Sequence, residues 1–170
     1  IIAAPSSSFL GWTTVTSSTN FSSTISFTIT GASSAGSYSR TVYAWFKDDA
    51  GNVSSSASDE ITLIINDTTN PSNPTIIVNN GDSSTSSTDV TLALSATDNV
   101  GITAYYASET STPPASNASG WDSVTSNATY SDNVSFSLAS TGSAGTFSKT
   151  VYIWFKDAAG NVSGNSSDAI

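Results

Sequence analysis

The chain has 170 residues, 37% of them hydrophobic, with Lys+Arg 4 against Asp+Glu 13 for a net charge of −9. That balance argues against nucleic acid or anionic lipid as a partner, since either would be repelled, and leaves cations as ligands. His and Cys are both 0, which removes His-dependent triads, thiol nucleophiles, ordinary zinc sites and disulfides.

Taken in chain order, the patterns predict strands separated by polar turns, with no helical periodicity. Ile25-Ser-Phe27-Thr-Ile29 alternates with period two, as a half-buried strand does. Thr41–Ser54 (TVYAWFKDDAGNVS) reads as a strand followed by a hairpin turn, with Gly51 at a positive-φ position. Ile61–Ile65 is a further apolar run. Asn66 to Pro74 carries Pro71 and Pro74 among turn formers and marks a domain boundary. Then come Thr75–Asn79, Val90–Ala96, the turn Asp98-Asn99-Val100-Gly101, and Ile102–Ser108. A short strand is expected after Trp121, then 133–139, then Phe147–Lys156, and a last strand from Val162. Short strands at even spacing fit a two-sheet sandwich in the immunoglobulin-like order A, B, C, C′ or D, E, F, G.

The chain also repeats itself. TVYIWFKDAAGNVS, Thr150–Ser163, nearly copies Thr41–Ser54, and residues 1–61 lie over 110–170 at an offset of 109 without a gap (Thr41 onto Thr150). Trp12 falls on Trp121, Phe27 on Phe136 and Gly36 on Gly145, and roughly half of all positions are identical. So long a period fits whole domains in tandem rather than solenoid units. The expected organisation is residues 1–67 as the C-terminal half of one repeat and 68–170 as a nearly complete second repeat lacking most of its last strand. A half repeat exposes its core face and strand edges. With no initiator Met and no charged segment before an apolar core, the sequence reads as a segment of a longer chain.

These motifs carry a resemblance. Trp121, Val134, Phe136, Leu138, Gly145, Thr150–Ser163 and Asp168–Ile170, with Asp59, Ile61, Leu63, Asp67 and Pro71 of the first copy, resemble the bacterial Ig-like tandem repeats of large secreted or cell-surface proteins. The resemblance implies an extracellular, non-catalytic stalk or spacer, flanked by further Ig-like repeats of the same chain. Its alternatives are an adhesive module for glycan or protein, and a fibre subunit completed by strands from neighbouring copies.

The residues themselves offer two candidate sites. In a sandwich of this order the linker, the turn after the second strand and the last hairpin turn gather at one end. There Asp67, Asn70, Asp98, Asn99, Asp157 and Asn161 would present hard oxygens from three segments, as Ca²⁺ requires. Trp45, Trp154 and Tyr105 fall out of phase with the core-facing residues and are candidates for stacking on surface glycans or another protein. The adjacent carboxylates Asp48/Asp49 and Asp59/Glu60 read as solvated turn and edge residues rather than a glycosidase pair. No apolar run is long enough to span a membrane. Asn-x-Ser/Thr sequons, among them Asn127 and Asn161, leave glycosylation open.

Overall fold

The computed structural model describes residues 2–170. Among the described residues its strands all pair antiparallel, and the one helical element is a 3₁₀ turn at Asn79–Gly81. The chain forms two compact units, one ending at Ile65 and one spanning Asn66–Ile170. Asp67, placed in the first repeat on sequence grounds, therefore belongs to the second unit.

The second unit is a five-stranded sheet of β3 (Ser72–Val78), β4 (Asp89–Ser108), β5 (Asp122–Ser137), β6 (Thr150–Asp157) and β7 (Ser166–Ala169). Its path is β3-β4-β6-β7, and β5 runs along β4. Val90, Leu92, Leu94 and Ala96 are all buried, as their alternation predicts. Fully burying such a side chain contributes about 1.5–3 kcal/mol. Ile102 from the far half of β4, Val151, Ile153 and Phe155 from β6, and Ile76 and Val78 from β3 join them in one cluster. Across that cluster Asp168 of β7 accepts a hydrogen bond at Oδ2 from the Val78 amide, 2.8 Å away.

The turn expected between two strands at 98–101 is instead a bulge within one 20-residue strand. Thr97 pairs with Thr129 and Ile102 with Asn127, so the extra residues of β4 loop out while β5 passes almost without interruption. The predicted short strand after Trp121 and the strand at 133–139 merge into β5 for the same reason: the ladder to β4 continues past the bulge. Asp98 closes it. Its Oδ2 accepts hydrogen bonds from the amides of Val100 (2.9 Å) and Gly101 (2.7 Å). Gly101 has φ 152°, and a Cβ there would lie 2.4 Å from Ser126 Oγ and 3.3 Å from the Asn127 backbone nitrogen.

A second register shift between Ile102 and Ala104 changes which residues face inward. Tyr105 packs against the core and stacks on Tyr130 at 6.2 Å. Burial, with the nearby Asp132 carboxylate, pushes the Tyr130 hydroxyl up to about 12. Tyr106 takes the opposite face. There it meets Trp154 edge-on at 6.2 Å and Trp121 at 5.6 Å. Tyr152 stacks on Trp154, and the Lys156 ammonium lies 4.7 Å over the Trp121 ring. Both faces of β6 are thus covered.

The first unit holds only β1 (Gly36–Ala44) and β2 (Ala57–Ile65) as strands among the described residues. Their hairpin has the register of β6–β7: Thr41 pairs with Glu60 as Thr150 pairs with Ala169. The predicted strand at Ile25–Ile29 is absent, with Ile25 73% and Phe27 68% exposed. The reason is the missing neighbour. In the second copy Val134 and Phe136 pair with Leu92 and Val90 of β4, and residues 1–61 contain no counterpart of β4. Alternation makes a strand possible; a partner makes it form.

Gly101→Ala tests the bulge. Contact with Ser126 and Asn127 and the strained backbone should lower stability by about 1–3 kcal/mol, read from the urea midpoint. An unchanged midpoint would mean that the bulge relaxes freely.

Candidate metal centre

Three carboxylates converge at the bulge end of the second unit. Each of Asp67, Asp98 and Asp157 offers an oxygen, and these oxygens lie within 4.8 Å of one another. Asp98 is 8% and Asp157 2% exposed, and Asp67 is half-buried.

Each is held by its own short-range geometry. Asp157 ends β6 and caps the turn that follows: Oδ1 accepts from the Asn161 amide (2.9 Å) and Oδ2 from the Asn161 side-chain amide (2.6 Å). Gly160 supplies the positive φ of 91° that this turn requires. Asp98 spends Oδ2 on the bulge amides, which fixes the direction of Oδ1. Asp67 accepts at Oδ1 from the Thr69 amide and from the Asn99 side chain, both at 3.1 Å. These bonds, the Thr69 amide first, hold its carboxyl below the ordinary value of 3.8. Asn161 Nδ2 also reaches the Asp67 carbonyl at 3.4 Å.

Two oxygens are left over. Asp67 Oδ2 and Asp98 Oδ1 are buried and have no hydrogen-bond partner among the described residues. Buried polar atoms without a partner are rare, because each keeps its desolvation cost uncompensated. Two unit charges at such a separation repel by about 3–4 kcal/mol at an effective dielectric of 20. Among the described residues the one ion pair is Lys149–Glu109 at 2.7 Å, and it involves none of the three.

Of the six residues expected here, the structure joins five: three carboxylates, with Asn99 and Asn161 as the amides that orient them. Asn70 is exposed and makes no hydrogen bond to the cluster among the described residues. The bulge was hidden in the sequence, so its role in aiming Asp98 was too; Gly101 three residues on was the available signal.

The aromatic candidates need correction. Trp154 is 1% exposed and is sealed by Tyr106 and Tyr152, so it offers no stacking surface. It does point away from the core, but the outward face is itself covered. Tyr105 is half-buried against the core cluster, because the register shift reverses its phase. Trp45, the counterpart of Trp154 in the first unit, is half-buried beside Tyr43 at 5.9 Å.

The first copy reproduces one third of the centre. Asp48 accepts from the Asn52 amide and side chain, both at 2.8 Å, as Asp157 does from Asn161. Asp48 is exposed, and the residues matching Asp67 and Asp98 fall outside residues 1–61.

No helix among the described residues is long and apolar enough to cross a membrane. No family model matches the chain, and neither curated proteins nor solved structures gave a match.

The lowered Asp67 value sets a sign. A carboxyl depressed by folding adds stability above its unfolded value, and that stability is lost as pH falls through the folded one. A ¹³C-carboxyl NMR titration should find Asp67 below 3.8, and Asn99→Ala should move it upward. No movement would mean that Asn99 does not hold the carboxylate.

Proposed function

We propose that the chain is a non-catalytic structural segment of a bacterial extracellular surface protein or filament, a stalk or spacer built from tandem Ig-like sandwiches. The observation that carries this reading is the repeat, which extends from sequence to bonding. In both copies the tryptophan indole donates to a carbonyl six residues earlier, Trp12 to Ser6 at 3.0 Å and Trp121 to Ala115 at 2.9 Å. In both a serine hydroxyl accepts from the amide of the matching phenylalanine, Ser54 from Phe46 and Ser163 from Phe155. The isolated bridges Lys47–Val53 and Lys156–Val162 match as well. What the copies share is scaffold, not a reactive constellation.

Two-layer packing is supported by the shared cluster of the two halves of β4 and by the bond from β3 to β7. The strand order then follows A and B (β3, early β4), C (late β4), C′ and E (β5), F and G (β6, β7). Extracellular placement rests on the resemblance and on the Ser/Thr-rich, Cys-free composition.

Between the alternatives, burial of Trp154 and Tyr105 takes away much of the support for glycan stacking. The fibre-subunit reading differs only in what covers the exposed Ile25, Phe27, Phe46, Ile61 and Ile64 of the first unit: a strand from a neighbouring copy rather than one of the same chain.

Light scattering and negative-stain electron microscopy on the full chain separate the two. A stalk segment gives a monomer at all concentrations. Filaments or large oligomers would replace the stalk reading with the fibre.

A further inference from the structure

We propose that Asp67, Asp98 and Asp157 form a calcium site within the Asn66–Ile170 unit, and that calcium fastens the start of that unit to the β4 bulge and the β6–β7 turn. The proposal rests on the carboxylate geometry and holds whatever the chain supports or binds.

The acidic cluster alone would not carry this. The second observation is Asp98 itself: a side chain more than nine-tenths buried, held at Oδ2 by two bulge amides, with Oδ1 unpartnered. Asp67 Oδ2 is a second buried oxygen without a partner. Folding has fixed the orientation of these groups, and the hydrogen bonds satisfy the wrong oxygens to relieve them.

The donor chemistry names the ion class. All three ligands are carboxylate oxygens, with no nitrogen or sulfur in a chain free of His and Cys, and such a set selects hard cations. Calcium sits about 2.3–2.6 Å from its oxygens, so two ligands on one ion are at most about 5 Å apart. The observed limit of 4.8 Å fits that shell. Three carboxylates leave positions for water or backbone carbonyls, and calcium tolerates an irregular shell of six to eight, whereas Mg²⁺ demands near-octahedral geometry.

The ligands come from three separated places: the segment before β3, the bulge of β4 and the end of β6. One ion would therefore join residues 66–70 to the two strands that share the core. The first copy is a built-in control. Residues 1–65 hold the Asp48–Asn52 turn without counterparts of the other two carboxylates, so that turn alone should not bind.

The test is calorimetric titration of the EDTA-treated full chain with CaCl₂, followed by ¹H–¹⁵N NMR. We expect one Ca²⁺ per chain with a dissociation constant of about 10⁻⁶–10⁻³ M. The Thr69, Gly101 and Asn161 amides should shift, and the Asn52 amide should not. Asp98→Asn, which keeps an acceptor for the bulge amides, should weaken binding at least tenfold with its circular dichroism unchanged, and Asp67→Asn should do the same. Asp48→Asn should leave binding as it is. No heat at millimolar Ca²⁺ would overturn the site. So would uptake unaltered by both Asp98→Asn and Asp67→Asn, which would indicate diffuse attraction to an acidic surface. A second ion lost in Asp48→Asn would overturn the requirement for all three carboxylates.

Discussion

A strand needs a neighbour, and in the second unit one strand serves almost every other. β4 pairs with β3 along its first half, with β6 along its second, and with β5 along most of its length. Remove β4 and three ladders vanish together. The core follows the same rule, since Leu92 and Ile102, on opposite sides of the bulge, enter one cluster with Phe155. What lets a 20-residue strand serve both halves is the bulge, held by two amide bonds to one carboxylate. The oxygen that Asp98 does not spend on the bulge is buried without a partner among the described residues, and the residue shares a cluster of carboxylates with Asp67 and Asp157. Fold and candidate site thus depend on the same four residues, Asp98–Gly101.

The two copies put this constraint on display. Hairpin, turn and tryptophan contacts form alike in each, because every one of those bonds is made within the repeated stretch. The stretch at 134–138 and its counterpart at 25–29 share an alternating apolar pattern, yet only the first lies in a strand, through Ser137. Their difference lies in what stands beside them.

This also explains how far the sequence could be read. The β6–β7 hairpin, the alternation of Val151, Ile153 and Phe155, and the all-β class were legible, since local periodicity and turn residues specify them. Asp67, Asp98 and Asp157 could be grouped because three turns were expected at one end. The bulge was not legible, since Asp-Asn-Val-Gly suits a turn as well as a looped-out stretch of strand. The second register shift, between Ile102 and Ala104, had no signature either, and so the phase of Tyr105 was misassigned. Trp154 fails differently. Its direction followed from period two, but its burial depends on Tyr106 and Tyr152 closing over the outer face, a tertiary fact with no periodic signature. Asn70 was grouped with Asp67 by proximity in sequence, and three residues of extended chain are enough to carry it clear.

Residue-resolved amide exchange on the full chain tests the central claim, that β4 and its bulge organise the fold. The account predicts strong protection across 90–97, 102–107 and 151–157, protection of the Val100 and Gly101 amides bound by Asp98, and fast exchange at 25–29 despite the matching sequence. Protection at 25–29 equal to that at 134–138, or free exchange at Gly101, would contradict it.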